Sequence, residues 1–219
     1  MKIAVYTAIT ASKDSLKKPR DSAEIDRDSA EIDLVLFSDQ LHTEPDWNVR
    51  PACTIFADPR RNARAHKLLA HQYLPDYDYS LWIDGSICLL VPPHDLIKTY
   101  LDKADIALFP HPCRDCIYEE AAACACLDDP AVIAVQMAKY KQECYPKHNG
   151  LNATGVILRR HNARTEALNN AWWSELCRYS LRDQLSFNYV LHKLDIRVAL
   201  FPGHVFANPG LTSLEGHLK

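Results

Sequence analysis

The chain has 219 residues, of which 47 % are apolar and 24 % charged, and a formal net charge of −3. That length fits one domain with a sizeable core, and the acidic balance excludes a chain-wide basic surface for nucleic acid. No stretch approaches the roughly 18 apolar residues of a spanning helix, and MKIAVYTAIT is too short and too closely followed by charge for an export signal. A cytoplasmic protein without a transmembrane segment is expected, with docking on a membrane surface left open.

Along the chain, Ile3 to Thr7 reads as a first central strand. RDSAEID then occurs twice in tandem, over residues 20–33, with one large apolar side chain per copy, and is expected as a surface loop or short helix without chemistry. Leu34 to Phe37 reads as a strand buried on both faces and ending in Ser38-Asp39. Arg61 to Tyr73 reads as a helix, Tyr79–Ile83 and Ile87–Val91 as strands around Asp84-Gly85-Ser86, and Asp95–Leu101 as a short helix. Ile106 to Phe109 is a buried strand stopped by Pro110 and Pro112. Pro130–Glu143 is helical in pattern, Gly155–Leu158 strand-like, and Arg164–Tyr179 and Leu181–Leu194 helical. Arg197 to Phe201 is a last strand, and residues 202–219 are an irregular tail. The alternation predicts a single α/β domain over 1–219, with a mixed, mostly parallel central sheet flanked by helices. Ligands of such sheets sit beyond the carboxyl ends of the strands, where Asp39, Asp84 and the Pro110–Asp115 loop all fall.

Eight cysteines without an export signal argue against a disulfide framework. Cys113-x-x-Cys116 with Cys124-x-Cys126 is a weak zinc pattern, since the second pair has one intervening residue, and mostly buried free thiols are expected.

Four segments carry chemistry. Trp82-Ile83-Asp84-Gly85-Ser86 delivers a carboxylate into a turn, as a ligand for Mg²⁺ or Mn²⁺ shared with phosphates would be presented; Gly85 allows close approach. A plain Asp-Gly turn gives the same pattern. Arg61, Arg64, Lys67 and His71 recur near one helical face, suiting either a pyrophosphate or solvent. Arg182-Asp183-Gln184 opens a helix; Asp183 suits a general base on an acceptor hydroxyl, but Ser180-x-x-Asp183 equally suits a capping box. Asn152 to Gly155 is a polar loop entering a strand, suited either to setting donor or acceptor hydroxyls against backbone or to nothing more than a strand entry. His204 in the tail is either a surface histidine or a completing metal ligand.

In this order, YDYS-LWIDGSI from Tyr77, DIALFPHPCRDCIYEEA from Asp105, GVILRRHN from Gly155, Trp172-Trp173-Ser174-Glu175 and YSLRDQLSFNYVL from Tyr179 resemble the TOD/MUCI70-type glycosyltransferase-like domain of plant, bacterial and large-virus proteins. The resemblance spans roughly Met1 to Phe201. It implies a GT-A-type, Rossmann-like fold and a metal-assisted transfer of a hexosyl or deoxyhexosyl group in polysaccharide biosynthesis, with base catalysis favouring inversion. The implied donor is a UDP- or GDP-sugar, the acceptor a glycan or glycolipid, and the ion commonly Mn²⁺. Tyr6, Thr7, Ala8 and the Phe37–Asp39 end would frame the nucleotide, and Arg64, Lys67 and Arg182 would hold its phosphates. Asp84 and Ser86 would occupy the family's version of the Asp-x-Asp metal motif, with a serine in place of the second acid; His204 or the diphosphate would complete the shell. Asp183 would be the catalytic carboxylate. The alternative is a nucleotide-sugar-binding module without turnover.

Overall fold

The computed structural model describes residues 1–11, 16, 31–40 and 44–214. Its elements are β1 (Lys2–Ile9), β2 (Glu31–Ser38), β3 (Asn48–Pro51), α1 (Pro59–Leu68), α2 (Ala70–Tyr73), β4 (Tyr79–Ile83), β5 (Ile87–Leu89), α3 (Pro93–Tyr100), β6 (Ile106–Pro110), α4 (Ile117–Ala123), α5 (Pro130–Gln142), β7 (Asn152–Arg160), α6 (Ala163–Arg178), α7 (Gln184–Leu194), β8 (Ala199–Leu200) and β9 (Thr212–Leu214). Seven strands form one sheet in the order β3-β2-β1-β4-β7-β6-β8. The β1, β2, β3 and β4 pairings are parallel, β7 runs antiparallel to both β4 and β6, and β8 is parallel to β6. This is the mixed, mostly parallel α/β sheet that the sequence predicts.

Strand alternation sorts the core into two faces. Ala4, Tyr6, Phe37, Trp82, Leu108 and Ile157 point toward the layer built by α4 to α7, where Trp172, Leu185 and Phe187 pack. Ile3, Val5, Leu36, Leu81, Ala107 and Leu158 point the other way, toward α3 and the tail residues Phe201 and Val205. A sheet covered on both faces explains the continuous apolar runs of its strands.

The helix starts follow capping chemistry. Asp58 caps α1 through its side chain with Pro59 in the first turn, Asp129 and Pro130 do the same for α5, and Asn162 with Thr165 forms a capping box on α6.

Several elements depart from the sequence reading. Residues 20–30 of the duplicated segment lie outside the described residues, but Glu31 to Asp33, its end, belong to β2. The expected Arg61–Tyr73 helix is broken at Leu69 into α1 and α2. Asn152 to Thr154 are paired strand, not a loop entering one: Asn152 and Ala153 lie opposite Pro110 and Phe109. β5 leaves the main sheet and pairs with β9, so Thr212–Leu214 of the tail is paired strand where an irregular chain was expected. All eight cysteines are free, but only Cys88, Cys116 and Cys124 are buried. No helix among the described residues is long and apolar enough to cross a membrane.

Candidate functional site

A cavity of about 660 Å³ opens beyond the carboxyl ends of β1 and β4. Its lining includes Ala8 and Thr10 after β1, Arg60, Arg64 and Lys67 from α1, and Asp84, Gly85 and Ser86 after β4. The opposite wall is built by His111, Arg114, Glu120 and Cys124, and Thr154, Gly155, Arg182 and Asp183 form its floor.

Asp84 sits where β4 ends. Its N–H donates to the Gly155 carbonyl (2.8 Å) and its carbonyl accepts from Ile87 N–H (2.9 Å), which fixes the turn through Gly85 and Ser86. Its Oδ1 accepts from Trp82 Nε1 (2.7 Å) and from Lys67 Nζ (3.3 Å). Gly155 makes room for this carboxylate: a Cβ there would lie 3.3 Å from Asp84 Oδ2 and 3.0 Å from Ile87 Cδ1. That is a packing reason for glycine at this position.

Lys67 is the most enclosed charge of the site, its side chain 1 % exposed. Its ammonium is 2.7 Å from Asp183 Oδ2 and 3.4 Å from Thr154 Oγ1, in addition to its contact with Asp84. The end of α1 is held from behind: the Lys67 carbonyl accepts from Arg159 Nη1 (2.8 Å) and Tyr6 Oη (3.2 Å). A buried guanidinium at a helix carboxyl end satisfies carbonyls that the helix leaves open. Burial depresses the Arg159 pKa, opposed by Tyr6 and Asp183.

Asp183 is buried, and it does not cap α7 through its side chain. Ser180 Oγ accepts from Arg182 N–H (3.0 Å) and donates to Asp128 (2.7 Å), so the capping box read in the sequence does not form. The Asp183 carboxylate instead meets Lys67, Thr154 Oγ1 (3.1 Å) and Arg64 Nε (3.6 Å). Burial would raise its pKa, but Arg64, Lys67 and Arg182 outweigh that and hold it well below the usual carboxylate range. A carboxylate held ionised in this way accepts hydrogen bonds and is a poor receiver of protons.

On the facing wall Glu120 is buried, accepting from Arg114 Nε (2.6 Å) and the Cys124 thiol (3.0 Å), with His111 Nε2 at 3.5 Å. Desolvation opposes its ionisation, yet these neighbours lower its pKa. His111 Nδ1 accepts from the backbone N–H of Arg114 (3.1 Å), shaping the loop after β6.

Of the residues expected to bind from sequence, Ala8, Arg64, Lys67, Asp84, Gly85, Ser86, Gly155, Arg182 and Asp183 converge on the cavity. Thr7 is buried beneath it, and Asn152 is buried in β7 with its N–H donating to Asn188 (3.0 Å). Asp39 stays outside, accepting from Ala11 N–H (2.8 Å), and His204 bridges to Ala207 in the tail while its neighbours Val205 and Phe206 line the cavity. Arg61 and His71 of the basic series also lie elsewhere: Arg61 stacks over Phe56, and His71 meets Asn169 beyond the break at Leu69. Glu120 and the supporting role of Arg159 carry no functional mark in the sequence, while His111 and Arg114 lie in the expected Pro110–Asp115 loop and Thr154 in the expected Asn152–Gly155 segment, neither of which singles out the individual residue. The Glu-Glu-Ala-Ala-Ala run after Tyr118 was a helix signal.

The residues present do not fit a resident divalent ion. Four cationic side chains (Arg64, Lys67, Arg114, Arg182) line the cavity with three carboxylates (Asp84, Glu120, Asp183), each carboxylate already has a cation of this chain beside it, and a fifth cation, Arg60, is paired with Asp58 (2.7 Å). Ser86 adds no charge where a second acid would stand. The Cys113–Cys126 pattern forms no convergent site among the described residues. The group that does converge is Cys116, Glu119 and His148, whose donor atoms lie within 4.8 Å of one another, away from this cavity.

Comparison with known proteins agrees with this architecture. Residues 47–212 match the family described as TOD1/MUCI70, glycosyltransferase-like domain, and the chain belongs to that family. It is 34 % identical over 151 residues to the probable hexosyltransferase MUCI70 of Arabidopsis thaliana, covering 64 % of this chain and 26 % of that protein. It is 28 % identical over 167 residues to the alkaline ceramidase TOD1 of the same plant, covering 69 % and 36 %. The chain therefore spans about a third or less of the length of these relatives. Among solved structures it resembles the apo form of the bifunctional glycosyltransferase WbbM (TM-score 0.54, 15 % identity, 91 % of this chain and 38 % of that one). It also resembles apo mouse xyloside xylosyltransferase 1 (TM-score 0.50, 10 % identity, 92 % and 86 %). The fold is thus the GT-A type that the sequence resemblance implies.

Proposed function

We propose that this domain binds a nucleoside-diphosphate sugar in the cavity and transfers its hexosyl or deoxyhexosyl group to a hydroxyl of a glycan or glycolipid. The observation that carries this reading is the excess of fixed cations around Asp84 at the carboxyl ends of the strands, a place suited to a diphosphate. Arg64, Arg114 and Arg182 would meet the phosphates, and Asp84 and Asp183 would accept hydrogen bonds from sugar hydroxyls. The same cation excess favours an anionic ligand over the neutral amide that a ceramidase would cleave.

In the transfer, the bond from the anomeric carbon to the diphosphate oxygen breaks and the electron pair leaves with that oxygen. The acceptor oxygen forms the new bond and gives up its proton. The family resemblance implies that Asp183 takes that proton, with inversion. Its clamping by Lys67 and Arg64 argues against this, and the departing diphosphate oxygen is the better receiver. Proton transfer to the leaving group needs acceptor and diphosphate on the same face of the sugar, which gives retention. Mn²⁺ and Mg²⁺, implied by the resemblance, have no part in these steps because the donor set does not suit them.

A nucleotide-sugar panel followed by release of nucleoside diphosphate tests the reading, with the anomeric configuration of the product read by NMR. Asp84→Ala and Arg64→Ala should each lower turnover at least tenfold. Donor binding without turnover on any acceptor would favour the binding-module alternative, which the pinned state of Asp183 motivates. Wild-type rates in both variants would remove the assignment.

A further inference from the structure

Resting on the donor reading above, we infer that Lys67 and Arg64 do the charge-neutralising work of a divalent ion, so that diphosphate binding and departure are metal-independent in this domain. The Lys67 ammonium occupies the position between the two carboxylates, 3.3 Å from Asp84 Oδ1 and 2.7 Å from Asp183 Oδ2. A metal bridging these acids would have to expel it. Expulsion is opposed on three sides: the side chain is buried, its Nζ stands over the Trp82 ring (5.5 Å), and its backbone is pinned by Tyr6 and Arg159.

Charge points the same way. Setting aside Arg60, which Asp58 already neutralises, four cations line the cavity with three carboxylates, so an added divalent ion would enlarge a positive excess, whereas a diphosphate would offset it. The donors are also in place for an anion. Arg64 Nε and Arg182 Nε are buried and make no hydrogen bond among the described residues, and buried donors of this kind call for an acceptor. Arg64 is close enough to Asp183 for electrostatic attraction, at 3.6 Å, yet keeps its guanidinium donors for a ligand. Asp84 and Asp183 then act as the anchors that hold the cations in register, and Ser86 needs no second acid's role.

The test is calorimetric titration of the wild-type chain with UDP and with GDP, first in EDTA and then with excess Mn²⁺. The expected result is binding of at least one nucleotide in EDTA, with an affinity within about threefold of that in Mn²⁺. Binding that appears only with Mn²⁺ would overturn metal independence and leave the donor reading standing. No binding of either nucleotide in either condition would overturn both. Lys67→Ala, checked for a native thermal transition, should weaken binding in EDTA by at least about tenfold, because it leaves Asp84 and Asp183 uncompensated beside the anion. If that variant does not fold, Arg64→Ala takes its place with an expected loss of about tenfold. A folded variant that binds as the wild type does in EDTA would count against the inference.

Discussion

The two walls of the cavity solve the same electrostatic problem with opposite polarity. On the α1 wall the cation is interior: Lys67 is 1 % exposed, while its partner Asp84 reaches the cavity at 38 %. On the α4 wall the acid is interior: Glu120 is 4 % exposed, and Arg114 reaches outward at 32 %. The buried member of each pair is supported by more than one neighbour, Lys67 by Asp84, Asp183 and Thr154, and Glu120 by Arg114, His111 and Cys124. The difference assigns the walls different jobs. Through these pairs the first offers the ligand a hydrogen-bond acceptor backed by a buried cation, beside the Arg64 guanidinium, and the second offers a guanidinium backed by a buried acid.

The largest expected effect comes from removing the interior cation. Lys67→Ala leaves buried Asp183 and half-open Asp84 without their shared partner, and should cost about 3–5 kcal/mol in chemical denaturation. Acid should act next, and on the same wall. His66 on α1 is buried and neutral, accepting from Cys53 N–H (2.8 Å), and burial lowers its pKa from 6.5 to about 3. A folded-state pKa below the unfolded one means the unfolded chain binds the extra proton. Stability is therefore full above pH 6.5 and falls below it, by about 1.4 kcal/mol per pH unit until the folded pKa is reached. His161, lowered to about 4 by burial first and Arg159 second, adds to the loss over most of the same window. Denaturation midpoints between pH 7 and 5 check this; a flat profile would mean that these rings are not held neutral.

Arg114→Ala should be milder, about 1–2 kcal/mol, because Glu120 keeps His111 and the Cys124 thiol. Its nucleotide affinity should drop about tenfold in calorimetry. If Arg114→Ala proves as destabilising as Lys67→Ala, the two walls are equivalent and the contrast drawn here fails. The smallest stability change is expected for Gly155→Ala, about 1 kcal/mol, since Ile87 must give way by a few tenths of an ångström. Turnover should fall more than stability, because the same Cβ crowds Asp84.

The strands were the legible part of the fold. Tyr79–Ile83 was read with its observed bounds, and the runs at Ile3, Leu34 and Ile106 lie inside β1, β2 and β6, because strands buried on both faces leave continuous apolar runs. β3 and β9 were missed because Asn48–Pro51 and Thr212–Leu214 are short, and β9 pairs with a strand far earlier in the chain. In the site, helical spacing brought out Arg64 and Lys67 and a strand end brought out Asp84. No local pattern joins Lys67 to Asp183, since that contact exists only once α1 and the start of α7 are brought together by the sheet. The same holds for Arg159, which sits in an apolar-looking strand and acts from beneath.

The turn that carries Asp84 is continued by β5, and β5 finds its partner only at Thr212–Leu214. A contact between segments so far apart carries a high loop-closure cost, which is recovered late in folding. During synthesis β1, β2 and β4 can pair while the Asp84 turn still lacks its far support. Refolding should accordingly show the sheet forming ahead of nucleotide-binding competence, and a chain ended before Thr212 should fold its sheet yet hold Asp84 poorly.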